Sequence, residues 1–280
     1  MQHIYDFIAA VLPYEWLTPL FMKNAFLAIL LAGPLFGTLG SVVVSNRMAF
    51  FSDAIGHSAL TGIALGVILG AKDPVIAMVL FSMFLGFAII TVKSKGKASA
   101  DTIIGVFSST AVALGIVLLS ADGNFGKYQR YLVGDILSIQ PEEIGMLLAA
   151  LILLLIVWYF FYNQMLLVNL HATFAKSRGI RVFFIEQLFA LITAGIVAIS
   201  IRWTGLLVIN SLLVLPAAAS RMISRNSRQY ISIAVLISFI SGITGLALSY
   251  YTGSAAGAAI VIVNAVLFVC CFLLSLVMKN

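Results

Sequence analysis

Residues 255–278 read AAGAAIVIVNAVLFVCCFLLSLVM, a run of 24 residues without a charged side chain. A helix needs about 20 such residues to cross roughly 30 Å of hydrocarbon. The apolar residues of this run do not alternate with polar ones, as they would in the strands of a membrane barrel. The run therefore predicts a membrane-spanning α-helix.

Similar runs recur along the whole chain. Hydrophobic residues make up 62% of the 280 positions and charged residues 9%, whereas soluble proteins are nearer one half and one quarter. The sequence predicts an all-α, polytopic transmembrane bundle of eight or nine spans that forms one domain over residues 1–280. The nine apolar segments are 20–44, 48–70, 74–92, 102–121, 143–164, 183–201, 204–223, 229–251 and 255–278.

Two features at the ends of the chain have structural interpretations. Residues 1–17 end in Tyr14 and Trp16, and such aromatic residues favour the membrane interface, so this segment is expected to lie there. The first run has no basic stretch before it and no small-residue cleavage site after it, so it is expected to be a retained helix and not a signal peptide. The adjacent Cys270 and Cys271 are expected to be small packing residues of the last helix, not a disulfide framework or a metal cage.

The basic residues predict the orientation in an inner (plasma) membrane. With the N-terminus outside and the C-terminus in the cytoplasm, eleven basic residues lie inside and five outside, in agreement with the positive-inside rule. The net charge of +6 therefore reflects membrane orientation and does not indicate nucleic-acid binding. The inside set is Arg47, Lys93, Lys95, Lys97, Lys176, Arg178, Arg181, Arg221, Arg225, Arg228 and Lys279.

Asp53 and His57 are the most informative ionisable residues, because charge inside a bilayer is costly and usually functional. Four residues apart, they share one face of the second predicted helix, about 6 Å apart along its axis. A carboxylate and an imidazole suit Zn²⁺ or Mn²⁺. The alternative is a pair whose side chains contact each other, or cap a neighbouring helix, without binding an ion. Two ligands from one helix are too few, and a twofold axis between two copies would supply four.

The other polar residues of the apolar runs favour structural roles. Glu186 is expected to reach the nearby cytoplasmic interface or to contact a helix end. Asp135 is expected to cap a short helix in the stretch 131–139, which looks re-entrant or interfacial. Asn210 and Asn264 are expected to form hydrogen bonds between helices.

Residues 165–182 are predicted to form a cytoplasmic region between two spans, and within it the stretch 171–181 is basic and predicts a short helix that ends at Gly179. On the cytoplasmic side, such a helix suits docking into a groove of a soluble partner, although an ordinary basic connection is the alternative. No Gly-x-x-x-x-Gly-Lys-Ser/Thr motif for nucleotide phosphates is present, and no His-Glu-x-x-His motif of zinc proteases. We therefore expect no catalytic residues, and energy must come from a partner or an ion gradient.

Five stretches carry a family resemblance in family order. RMAFFSDAIGHSALTG (47–62), ADTIIGVF (100–107), YLVGDILSIQPEE (131–143), FAKSRGI (174–180) and GLLVINSLLVLPAAASR (205–221) resemble the zinc/manganese ABC-transporter permeases. The resemblance covers most of the chain. It implies a membrane subunit that acts as a homodimer, receives metal from an extracytoplasmic metal-binding protein and rests on two copies of a cytoplasmic ATP-binding cassette subunit.

The resemblance also implies roles for particular residues. Asp53 and His57 match pathway residues that form a gate or transient metal site in manganese-importing relatives. LHAT at 170–173 departs from the family pattern, which often has an acidic residue there. No permanent cofactor is implied, since Zn²⁺ or Mn²⁺ is the transported substrate. The stretch that matches the coupling helix is Phe174, Ala175, Lys176, Ser177, Arg178, Gly179 and Ile180.

The sequence leaves the identity of the ion and two alternative functions open. The motifs RMAFFSD and YLVGDIL look closer to the zinc branch of this permease family than to the manganese branch. A His and an Asp ligand suit zinc and manganese equally, so the ligands do not decide between the two ions. Iron is a further candidate. A gradient-driven secondary cation transporter would usually have inverted repeats with broken helices, which the sequence does not show. A membrane-embedded enzyme would need a catalytic constellation, which is also missing.

Overall fold

The computed structural model describes residues 5–6, 14–71, 73–121 and 135–278. Within these ranges the chain is almost entirely α-helical and contains no β-strand, as the apolar runs predict. Ten α-helices with full bounds lie in the described ranges: α1 Leu20–Ser45, α2 Phe51–Ile68, α3 Pro74–Lys95, α4 Ala100–Ala121, α5 Pro141–Leu170, α6 Ala172–Ser177, α7 Val182–Thr204, α8 Leu206–Ile223, α9 Ser227–Thr252 and α10 Ala256–Val277.

Eight of these helices are long and apolar enough to cross a membrane, namely all except α6 and α8. The predicted segment 204–223 is α8, an apolar helix of 18 residues with Pro216 inside it. The prediction of eight or nine spans is therefore confirmed. α5 continues to Leu170, beyond its predicted end at 164, because helical hydrogen bonding does not stop where the hydropathy falls.

The described helices group into two compact, discontinuous units. The first contains residues 1–44, 133–152 and 203–280. Within it α8 packs against both α9 and α10. A Cβ added at Gly37 would lie 2.8 Å from the Cα of Val235, so α1 and α9 approach backbone to backbone. Small residues allow this close packing where lipid supplies no hydrophobic driving force.

The second unit contains residues 45–132 and 153–202. α2 packs against α3 and α4 in this unit. A Cβ at Gly62 would lie 2.5 Å from the Cα of Met78 on α3, and one at Gly115 of α4 would lie 2.8 Å from the hydroxyl of Thr61. Small residues therefore let two neighbouring helices approach α2 closely.

The helices differ sharply in how much of their surface the protein covers. Within the spans of α1 and α2, 72% of the residues are buried, against 17% in α10. The exposed residues of α10 are large and apolar, including Val266, Phe272 and Leu273. Such a surface is stable in hydrocarbon and unstable in water. α10 therefore leaves most of its apolar surface uncovered by the rest of the chain, whereas α1 and α2 are mostly covered.

Of the structural roles predicted for polar residues, the structure confirms the one for Asp135 and not the one for Asn264. Asp135 accepts a hydrogen bond from the Leu137 amide, 3.0 Å, at the start of the 3₁₀ helix Ile136–Ser138, so the predicted cap is confirmed. Asn264 is fully buried, but neither of its amide atoms has a hydrogen-bond partner among the described residues, so its expected interhelical bond is absent. Asn24 forms such a bond instead, donating to the Ile139 carbonyl at 3.4 Å.

Parts of two predicted segments lie outside the described residues, namely 1–4 and 7–13 of the interfacial segment and 131–134 of the stretch 131–139. Where the interfacial segment is described, Glu15–Leu17 form a 3₁₀ helix. Trp16 is buried, with its ring edge against Phe26 of α1. Cys270 is exposed, Cys271 is buried, and both are free thiols.

Candidate metal pathway and coupling region

α2 carries the two candidate ligands on its one accessible stripe. Of its 18 residues, 13 are buried. Asp53 in the first turn and His57 one turn later keep 41% and 33% of their side-chain surface exposed. An ionisable side chain in an apolar helix is costly unless it meets water, an ion or a partner. The helix therefore presents its only Asp and His along one accessible line.

The two side chains are close enough to share an ion. Nε2 of His57 lies 3.6 Å from Oδ1 of Asp53. That separation exceeds the usual limit of about 3.2 Å for a hydrogen bond to nitrogen. Two ligands that are each about 2.1 Å from a tetrahedral zinc ion are themselves about 3.4 Å apart. The spacing is therefore compatible with both side chains contacting one ion.

Hydrogen bonds fix the face that α2 turns toward its neighbours. The Ser58 hydroxyl, one residue after His57, lies 3.3 Å from the Ser82 hydroxyl of α3. The Thr61 hydroxyl donates to the Ala111 carbonyl of α4. With these residues turned toward α3 and α4, the rotation of α2 about its axis is fixed. Asp53 and His57 are consequently held on the remaining accessible side.

One chain does not complete a metal site in the part that the structure describes. No group of three or more His, Cys, Asp or Glu side chains comes together among those residues. A structural zinc site has four ligands, and a catalytic one has three protein ligands plus water. Asp53 and His57 therefore suit a transient site or half of a site, and not a permanent metal centre.

The stretch Phe174–Ile180 contains the short helix α6 and its termination. α6 spans Ala172–Ser177, and Ala175 is its one buried residue. Gly179 has φ +78°, a conformation that glycine adopts without strain, and the Ile180 amide donates back to the Ala175 carbonyl at 3.1 Å. The helix expected before Gly179 is thus present. It presents an almost entirely exposed surface.

The guanidinium of Arg178 lies over the ring of Phe174, 5.1 Å from its centroid. Phe174 is 47% exposed. An exposed aromatic ring covered by a cation is a common anchor in protein interfaces. His171, just before α6, is also exposed, and it forms no capping hydrogen bond with its side chain.

A basic cleft of about 470 Å³ opens beside α6. Glu186 lies in it and forms an ion pair with Lys93 of α3, with 3.2 Å between Nζ and Oε1. Glu186 therefore contacts the end of a neighbouring helix, one of the two roles expected for it. The cleft is lined by Lys93, Ser94, Lys95, Lys176, Val182, Phe183 and Glu186.

Sequence reasoning missed the partners on α3 and α7. It counted Lys93 only as a marker of orientation and did not consider Gln187. Gln187 is buried and donates to the Phe87 carbonyl at 3.1 Å and to the Thr91 hydroxyl at 2.9 Å. The one signal in the sequence that could have found the Lys93 partner was the position of Glu186, because an acid near a membrane interface needs a cation at the same depth.

Comparison with known proteins places the chain in a family. The model of the ABC 3 transport family matches residues 19–275. The chain is 32% identical over 257 residues, 91% of its length, to the high-affinity zinc uptake system membrane protein ZnuB of Haemophilus influenzae, of which it covers 96%. It is 27% identical over 255 residues, 91% of each protein, to the manganese import system permease protein ScaB of Streptococcus gordonii.

A solved structure shows the same fold. The structure described as PsaBC from Streptococcus pneumoniae in complex with Fab matches with a TM-score of 0.78 and 25% identity. The match covers 97% of this chain and 95% of that one. Together these matches confirm the resemblance carried by the sequence motifs. The chain belongs to the ABC 3 transport family of membrane permeases.

Proposed function

We propose that this chain is the membrane permease of an ATP-driven importer for a divalent transition-metal ion, with zinc as the cargo. The observation that carries the proposal is the accessible Asp53–His57 pair on a helix of which 13 of 18 residues are buried. In a member of the ABC 3 transport family, such a pair has a direct use as a binding point for a metal ion on its way through the membrane.

Asp53 and His57 hold the ion briefly in this proposal. They replace part of its hydration shell, and the carboxylate offsets its positive charge in a low-dielectric region. Binding must stay loose for transport, because a complete cage would trap the ion. Two chains paired about a twofold axis would contribute two Asp53 and two His57 side chains to one shared pathway.

Zinc is proposed as the cargo on the strength of sequence similarity. The zinc uptake protein ZnuB matches at 32% identity and the manganese import protein ScaB at 27%. The stretch that holds Asp53 also looks closer to the zinc branch. Ligand chemistry does not separate the two ions. Manganese is the second candidate, and the similarity to ScaB supports it.

The energy source in this proposal is a separate pair of cytoplasmic ATP-binding subunits. The chain has no phosphate-binding motif of its own. The stretch Phe174–Ile180, with its exposed Phe174 and Arg178, is the surface that these subunits would contact. Their closure on ATP would move α6 and switch the side to which the pathway opens. A metal-binding protein outside the membrane would deliver the ion.

Reconstitution tests this function directly. The full chain is purified with its ATP-binding subunit and placed in proteoliposomes with the metal-binding protein, and ATP hydrolysis is measured with zinc, manganese and iron in turn. We expect zinc to give the largest stimulation, accompanied by accumulation of zinc in the lumen. A larger stimulation by manganese would reassign the cargo. Cation accumulation without any ATP-binding subunit would refute the ABC importer.

A further inference from the structure

α3 and α7 pack closely in the second unit, at the point where the chain leaves α6. A Cβ added at Gly86 of α3 would lie 3.3 Å from the Cβ of Ala194 and 3.5 Å from the carbonyl of Ala190, both on α7. These small residues let the two helices approach one another closely. Only residues 178–181 separate the end of α6 from the start of α7. A displacement of α6 therefore reaches α7 through a very short connection.

Polar contacts lock the first turns of α7 to the last turns of α3. Glu186 forms the ion pair with Lys93, and the neighbouring Gln187 donates to the Phe87 carbonyl and the Thr91 hydroxyl. We name these five residues, Phe87, Thr91, Lys93, Glu186 and Gln187, the polar clamp. Hydrogen bonds from a buried side chain require a specific geometry, so the clamp fixes the register of α7 against α3.

The other half of α3 contacts the helix that carries the candidate metal ligands. Ser82 of α3 meets Ser58, next to His57, with 3.3 Å between the hydroxyl oxygens. Met78, one turn earlier, packs at backbone distance against Gly62. Inside one compact unit, α6 is thus joined to α7 by a short connection, α7 packs against α3, and α3 packs against α2, which carries Asp53 and His57.

We infer that the polar clamp is the rigid link that converts movement of α6 into movement of α2. The inference rests on the proposed function and assigns to Lys93, Glu186 and Gln187 the role of positioning residues. The ion pair is part-buried, with 23% of the Lys93 side-chain surface and 21% of that of Glu186 exposed, so removal of one partner leaves the charge of the other poorly compensated. Its use is to keep α3 and α7 moving as one body.

The number of zinc ions transported per ATP hydrolysed measures this link. In the reconstituted complex, Lys93→Gln and Glu186→Gln are each expected to lower that ratio about threefold or more, while ATP hydrolysis continues. The loosened contact would let α6 move without carrying α2. The charge-swapped double variant, Lys93→Glu with Glu186→Lys, restores the attraction and is expected to recover the ratio in part.

Matched controls lie in the loop and first turn that follow α3. Lys97→Gln and Asp101→Asn remove one charge of each sign from exposed positions and are expected to leave the ratio unchanged. Thermal unfolding of each purified complex separates loss of the link from loss of fold. Single variants that keep the wild-type ratio of zinc transported to ATP hydrolysed would overturn the role inferred for the polar clamp. A double variant that is folded but does not recover any of this ratio would overturn it too. A wild-type complex without metal-stimulated hydrolysis would overturn the proposed function as well.

Discussion

Individual polar residues inside the bundle fall into three groups according to what they contact. Asp53 and His57 are accessible and 3.6 Å apart, which leaves both able to meet an ion. Asn24 is buried with partners, because it accepts from the Tyr5 hydroxyl at 2.6 Å and donates to the Ile139 carbonyl. Asn264 is buried without a partner among the described residues. A polar side chain inside the bundle can therefore be available to an ion, be hydrogen-bonded, or be buried without a described partner.

Asn264→Leu is expected to raise the thermal stability of the purified chain. A buried polar group without a hydrogen bond costs about 1–3 kcal/mol, and leucine has a similar size without that cost. The same substitution at Asn24 is the matched control and is expected to lower stability, because it leaves the Ile139 carbonyl without its donor. Unfolding midpoints in one detergent compare the two variants. A marked loss of stability in Asn264→Leu would contradict this description of the site.

At the scale of helices, the main feature of α2 is the close approach of its neighbours α3 and α4. Gly62 and Gly66 face the start of α3, and a Cβ on either would come within 3 Å of Met78 or Ala77. Thr61 meets α4 at Ala111. The same small residues that weaken helix propensity thus allow the packing that holds Asp53 and His57 in place.

Gly62→Ala is expected to destabilise the protein and to reduce transport. The new methyl group would lie 2.5 Å from the Cα of Met78, and backbone cannot rotate away as a flexible side chain would. Overpacking of this kind costs about 1–3 kcal/mol. Thermal unfolding and zinc uptake measure the two effects.

Gly105→Ala on α4 is the matched control, because nothing lies within 4 Å of its added Cβ. It is expected to be neutral or stabilising by about 0.5–1 kcal/mol, the usual gain of alanine over glycine inside a helix. Equal stability of the two variants would mean that α2 and α3 are not packed as described.

At the scale of the molecule, the chain is a multi-pass protein of the plasma membrane and a member of the ABC 3 transport family. Composition and run length sufficed to predict the helices, because a bilayer permits few other structures. Charge inside a span sufficed to select Asp53 and His57. Their contribution to transport is still a prediction.

Contacts between distant helices could not be predicted in the same way. Lys93 and Glu186 are 93 residues apart, and nothing in the local pattern of either helix specifies the other. The absence of a hydrogen-bond partner for Asn264 within the described part of the chain likewise depends on how α10 packs, which periodicity does not determine. Local order therefore follows from sequence here, whereas the pairing of polar groups across helices needs the folded structure.

The central claim is that Asp53 and His57 handle the metal ion. Uptake of radioactive zinc tests it most directly, in cells that express the full transporter with Asp53→Asn, His57→Ala or the exposed control Asp101→Asn, and with membrane levels of each variant measured in parallel. Metal-site substitutions typically cost about 10- to 100-fold, so we expect uptake to fall at least tenfold in the first two variants and to stay at the wild-type rate in the control. Wild-type uptake by both Asp53→Asn and His57→Ala would contradict the account.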